Sequence, residues 1–320
     1  MNNQTGSPEV VTFGESMGLL TAEDSRGLEY AAQLRKSFGG AESNLAIGIA
    51  RLGHSVGWCG RLGNDPLGHM IQKAIRGEGV DVSRSILADG EPTGLMLRET
   101  VSGKASVHYY RRLSAASHMQ PDDLDADYIA GARILHVTGI TAAISASGLA
   151  TVKRAMEIAT EAGVTVSFDP NLRLKLWTLD EARPVLLDLA EHCDYFLPGL
   201  DELALLYETS SDTAIFDRLR QLKAISIVKG GPDLTYVVEK DRIAEVPYFK
   251  AEQVLDTVGA GDGFCAGFLT GLLRGYSNEE AVRLGNLNGS MVIGAVGDWE
   301  ALPTHAQVEA RLGNKVHIER

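Results

Sequence analysis

The stretch DTVGAGDGF, residues 256–264, sets glycines at 259, 261 and 263 around one carboxylate, Asp262. Phe264, Cys265, Phe268, Leu269, Leu272 and Leu273 follow it at i, i+1, i+4, i+5, i+8 and i+9. That is helical spacing, so the glycine turn opens a buried helix. Free N–H groups at a helix N-terminus attract anions, and glycine lets a phosphate approach the backbone closely. A carboxylate there would repel a phosphate unless it handles something else, namely the proton of a hydroxyl that attacks the phosphate. That combination is general-base phosphoryl transfer. Two other glycine motifs fit worse. The dinucleotide fingerprint GxGxxG is not met, because Phe264 follows GxGxG and no strand carries the later acid. A Walker loop would have to use SGKAS at 102–106, where Arg98 stands in place of the leading glycine. On the motif alone, a tight turn at a helix start remains the structural alternative.

Working outward, short apolar runs alternate with helical ones. VVTFGES (10–16), SVGWCGRLG (55–63), RILHVTG (133–139), VTVSFDP (164–170), DYFLPG (194–199) and AISIVKGG (224–231) read as strands ending in polar or glycine turns. Between them lie amphipathic helices: ESNLAIGIARLG (42–53) with Gly53 as its stop, GHMIQKAIRGEGV (68–80), ASGLATVKRAMEIATEAG (146–163) and EARPVLLDLAEH (181–192). The alternation predicts βαβ units, an α/β class and a mostly parallel sheet. Residues 92–112 break it with two strands joined by a VSGK turn, and together with the irregular 18–36 they predict a small β-flap. The last third ends in helices. The residues after the strands collect where open parallel sheets bind ligands, at the carboxyl ends.

Composition narrows the function. The chain has 320 residues, 44% hydrophobic and 22% charged, with a net charge of −12. This suits a globular protein and argues against nucleic acid or an anionic membrane as the main partner. An anionic substrate must meet a local cluster of Arg or Lys. Cys59, Cys193 and Cys265 form no close pair, and the eight histidines show no metal-binding spacing, so buried or half-buried thiols and packing or surface histidines are expected. The polar N-terminus and the lack of a membrane-length apolar run point to the cytoplasm.

At this point the chain resembles the ribokinase-like, phosphofructokinase-B-type carbohydrate kinases. DTVGAGDGF is similar to their C-terminal signature and FGGAESNLAIGIARLG (38–53) to their N-terminal one. The likeness runs from FGES to GDWEALP and is nearest to 2-keto-3-deoxygluconate kinases, through GGAESN, TGLMLRE, HYYRRLSAAS, LHVTGIT, SFDPNLRLKLW and GDWEALPT. It implies one catalytic domain over 1–320, a three-layer α/β/α sandwich with a β-lid from about 16–37 and 92–113. It also implies ATP and Mg2+, a homo-oligomer, and phosphorylation of the terminal hydroxyl of 2-keto-3-deoxygluconate. The base falls at Asp262, beside Gly259, Ala260 and Gly261. The resemblance places Gly40, Asn44, Tyr109, Arg111, Arg173, Asp262 and Asp298 at the substrate, and Asn171, Arg173, Lys229, Gly231, Gly259 and Gly261 at the nucleotide.

The residues themselves agree in part. In HYYRR, Tyr109 and Arg111 share a strand face, and Arg suits bidentate capture of a carboxylate. A solvated strand is the alternative. Arg173 could instead pair with Asp169 or Asp180, and Asp298 could be a turn residue. Three positions depart from the family pattern. GLDE (199–202) replaces Asn-x-x-Glu, which leaves the metal ligands unassigned. Leu234 replaces a second glycine in the nucleotide turn, and Met96 replaces a frequent aromatic in the lid. The alternatives are a ketohexose kinase such as a fructokinase, whose neutral sugar would leave the lid arginine without an acidic partner, and a non-catalytic sugar or nucleotide sensor, which would have no need of Asp262.

Overall fold

The computed structural model describes residues 6–231, 233–250, 253–294 and 297–313. In chain order its elements are β1 (Val10–Thr12), β2 (Met17–Ala22), β3 (Leu34–Gly39), α1 (Ala41–Arg51), β4 (Val56–Trp58), β5 (Arg61–Gly63), α2 (Pro66–Gly77), β6 (Ile86–Ala88), β7 (Leu95–Val101) and β8 (Lys104–Tyr110). Then come α3 (Ala126–Ala130), β9 (Ile134–Thr138), α4 (Gly139–Ile144), α5 (Ala146–Ala162), β10 (Thr165–Asp169), α6 (Leu179–Glu191), β11 (Tyr195–Phe196), α7 (Leu200–Leu206) and α8 (Asp212–Leu219). The remainder is β12 (Ile225–Val228), β13 (Leu234–Val238), β14 (Ile243–Pro247), α9 (Ala260–Leu273), α10 (Asn278–Val292) and α11 (His305–Arg311).

Eight strands form one sheet in the order β14-β13-β12-β11-β10-β9-β1-β4. It is parallel from β4 to β12, and β13 and β14 close one edge antiparallel. Adjacent strand residues point to opposite faces, so both faces are covered. Val11, Leu135 and Phe168 pack with α5, α6, α7 and α8. Val10, Ile134 and Ile227 pack with α1, α2, α9 and α10. This is the expected three-layer α/β/α sandwich. Each fully buried Phe or Leu contributes roughly 1.5–3 kcal/mol to it. Among the described residues no helix is long and apolar enough to cross a membrane.

The single strand expected over 55–63 is two. β4 joins the main sheet beside β1, while β5 pairs with β6 in a separate two-stranded sheet. The break has a steric cause: the Trp58 indole lies over Gly60, where an added Cβ would sit 1.8 Å from the ring.

A second sheet, in the order β3-β2-β7-β8, comes from the two stretches that lack helices. β7 and β8 meet at Ser102 and Gly103, both at positive φ (51° and 76°). That is the type I′ hairpin geometry, which matches strand twist and suits glycine. The inner face of this sheet holds Met17, Leu19 and Met96, with Val107 packed on them.

Candidate active site

Strands β1, β9, β10 and β12 release Glu15, Thr138, Asp169 and Lys229 at their carboxyl ends, and the start of α9 joins the same edge. Gly259 is the N-cap of α9, at φ 78°. An added Cβ there would also lie 2.2 Å from the Asp298 carbonyl oxygen, so only glycine fits. Gly261 differs: its φ is ordinary, and nothing lies within 4 Å of where a Cβ would stand. That open space beside the first-turn amides is where an anion has room.

Asn44 reaches Asp262 because the helices of the two signature stretches run side by side. They touch at Gly48 and Ala266, where a Cβ on Gly48 would be 2.7 Å from Ala266. Asn44 and Asp262 each lie one turn nearer the N-terminus than that contact. The Asn44 amide donates to Asp262 Oδ2 at 2.8 Å. Burial pushes the Asp262 carboxyl up to about 7, and Asp169 and Asp298 push the same way, against the Asn44 hydrogen bond and Arg173. Gly40, just before α1, is extended, and a Cβ on it would meet the Glu15 carbonyl at 2.3 Å.

Beneath Asp262 lies a buried charge layer. Lys229 pairs with Asp169 Oδ2 at 2.6 Å, and the Cys265 thiol donates to the same oxygen at 3.4 Å. Burial opposes both charges, yet their attraction outweighs it and keeps Asp169 ionised and Lys229 protonated. His136 is pushed down to about 4 by its burial and bonds Ser167 Oγ at 3.0 Å. Asn171 sits at φ 37° and donates its N–H to Asp169 Oδ1 at 2.9 Å. Lys229, expected at the nucleotide, therefore directs its ammonium into this layer. Gly231 is buried, and a Cβ on it would be 2.7 Å from Tyr236. Glu202 accepts the N–H groups of Gly199 and Leu172, each at 2.7 Å. Among the described residues no group of three or more His, Cys, Asp or Glu side chains could hold a metal ion.

On the side of the small sheet, the Arg111 guanidinium, expected at a substrate carboxylate, pairs with Glu15, whose side chain is 1% exposed. Ser114 Oγ donates to the other Glu15 oxygen at 2.6 Å. An unpaired buried carboxylate is costly, so Glu15 takes Arg111 as its cation. Tyr109 is 42% exposed, with Arg111 and Lys175 at 5.9 and 5.4 Å from its ring centroid. Lys175 also donates to the Val107 carbonyl at 3.3 Å, which bridges the two sheets. Arg173 pairs with neither of the acids considered for it, since Asp169 holds Lys229 and Asp180 faces Arg183. Its guanidinium donates to the Leu172 carbonyl at 3.2 Å. Asp298 is buried against Gly39, and burial, with Glu300 next in effect, raises it to about 7.

The sequence reading missed Glu15 and Glu42 as participants. Glu42 is fully buried, takes hydrogen bonds from Thr138 and Thr141 at 2.6 and 2.8 Å, and closes over Gly14. The available signal was an acid directly after a buried strand, in GES.

Known proteins resemble the chain over nearly its whole length. The model of the pfkB family carbohydrate kinases matches residues 7–305. The 2-dehydro-3-deoxygluconokinase of Bacillus subtilis (strain 168) is 40% identical over 309 residues, 95% of each chain. The probable fructokinase-6, chloroplastic, of Arabidopsis thaliana is 33% identical over 319 residues, 96% of this chain and 83% of its own. The crystal structure of the PfkB protein from Polaromonas sp. JS666 superposes with a TM-score of 0.87 at 38% identity, over 95% of this chain and 100% of that one. The match of the family model over nearly the whole chain, with such relatives at 33–40% identity, makes this chain a member of the pfkB family of carbohydrate kinases.

Proposed function

We propose that the chain transfers the γ-phosphoryl group of ATP to the terminal hydroxyl of 2-keto-3-deoxygluconate (2-dehydro-3-deoxygluconate), giving 2-keto-3-deoxy-6-phosphogluconate. The observation that carries this is Asp262, half-buried, raised to about 7 and held by Asn44, beside the open space at Gly261. Asp262 accepts the hydroxyl proton as the oxygen attacks phosphorus, and the bond from the γ-phosphorus to ADP breaks. The first-turn amides of α9 and the Arg173 guanidinium face the developing charge. A divalent metal such as Mg2+ would neutralise phosphate charge. The donor set suits one carried by nucleotide and water, because the nearby acids Asp169 and Glu202 already have partners. Tyr109 would cover the sugar, and Arg173 and Lys175 would attract its carboxylate.

A second reading, a kinase of a neutral ketohexose such as fructose, is favoured by one observation. The Arg111–Glu15 pair is neutral overall and gives no net attraction to an acid. A panel of 2-keto-3-deoxygluconate, gluconate and fructose with ATP and magnesium separates the readings. The acid sugar is expected to give the highest kcat/KM. Arg173→Ala is expected to lower the acid-to-fructose ratio of kcat/KM by about 10-fold or more, since a charge-assisted contact is worth roughly 1.5–3 kcal/mol. Preference of the parent for fructose would overturn the acid-sugar assignment.

A further inference from the structure

We infer that Arg98 is a positioning residue that couples sugar binding on the small sheet to the phosphate turn of α9, by holding Asp256. The inference rests on the proposed roles of these two regions. Arg98 lies on β7, and its guanidinium is 2.7 Å from Asp256 Oδ2. The two side chains are only 13% and 7% exposed, so solvent screens the pair weakly. Strand alternation puts Arg98 on the same face as Met96, and the register sets Met96 opposite Tyr109. One face of the small sheet therefore carries both the sugar-side residues and this cation.

Asp256 lies three residues before Gly259. Its other carboxylate oxygen accepts the Val258 N–H at 3.2 Å, which shapes the approach to the turn. Asp298, whose carbonyl packs on Gly259, lies in the same field: Asp256 raises it and Arg98 lowers it. If the small sheet moves as sugar enters or leaves, Arg98 either stays on Asp256 or strands it. A buried carboxylate left without its cation is strongly disfavoured, so the two regions take up their paired arrangement together. Sugar that favours the paired sheet position must then favour the paired turn as well, and nucleotide must do the same for sugar.

The test measures dissociation of β,γ-methylene-ATP with and without saturating sugar, using whichever panel sugar the parent phosphorylates. In the parent, sugar is expected to tighten nucleotide binding by about 5- to 150-fold, the usual range of coupling. In Arg98→Met that factor is expected to fall towards one, while nucleotide affinity without sugar changes by less than about threefold. Where Arg98→Met fails to fold, the double variant Arg98→Met/Asp256→Asn removes both charges and leaves neither stranded. It too is expected to bind nucleotide without coupling. A parental coupling factor in a folded single or double variant, or no coupling in the parent, would overturn the inference. Failure of the functional reading would show differently, as a parent that phosphorylates no sugar of the panel.

Discussion

Asp262 combines two demands that conflict, since a base must be ionised to work and burial disfavours the ion. Its rise to about 7 is the outcome of that conflict. With the proton bound below about 7, kcat/KM for the sugar is expected to fall tenfold per pH unit as pH drops from 6 to 5. A flat profile over that range would remove Asp262 as the base. Asp262→Asn is expected to lower kcat by about 10²–10⁴, measured as ADP release. Stability should move the other way. The folded pKa lies above the ordinary carboxylate value of 3.8, so the folded chain holds a proton that the unfolded chain releases between about 4 and 7. Stability from this group is full below about 4 and is lost as pH rises through 7. At pH 8 the Asn variant should therefore be the more stable by about 1–3 kcal/mol, allowing for partial solvent screening, and the gap should close near pH 4. Equal denaturation midpoints at pH 8 would refute this. Asp262 was legible in the sequence because it is the lone acid of its turn. The Arg111–Glu15 pair was not, because its partners meet only through packing of separate sheets, and no periodicity records that.

The start of α9 separates two glycines that a sequence treats alike. Gly259 needs its positive φ and has no room for a Cβ, whereas Gly261 has both an ordinary φ and open space. Gly259→Ala is thus expected to destabilise by roughly 1–3 kcal/mol, from left-handed strain and the clash with the Asp298 backbone. Gly261→Ala should keep or raise stability by up to about 1 kcal/mol, because alanine favours a helix. The same variant should raise KM for ATP, since its methyl group enters the space beside the first-turn amides. Thermal melts alongside ATP kinetics check both, and unchanged ATP kinetics in Gly261→Ala would mean that no phosphate sits there. The helices and their starts were legible because apolar spacing and glycine stops are local signals. The division of 55–63 into β4 and β5 was not, because the cause is one indole folding over Gly60, a contact that apolar spacing does not encode.

At the scale of the molecule, the alternation of strands and helices announced the parallel sandwich, since each crossover must return over a face of the sheet. Strand order carried no such signal, because it is set by which helices cover which face. The small sheet holds itself together weakly. Its own buried cluster is Met17, Leu19 and Met96, whereas each main-sheet face packs a far larger set. Its attachments to the body are both polar and apolar. They include Arg98 to Asp256, Ser37 Oγ to Glu300 at 2.5 Å, Lys175 to the Val107 carbonyl, and the stack of Phe38 on Trp299 at 5.0 Å. An element with little buried apolar surface opens at low free energy, and most of β8 is exposed. A ligand seated between the sheets would add contacts to both, and so favour the closed arrangement over open ones. Amide exchange over 95–110 is therefore expected to slow when sugar is added, and exchange in β9 and β10 at the centre of the main sheet to stay as it was. Closure of such a flap falls in the microsecond-to-millisecond range, fast enough to leave turnover unlimited unless product release depends on it. Identical exchange over 95–110 with and without sugar would show that these strands are a fixed wall of the site and not a lid.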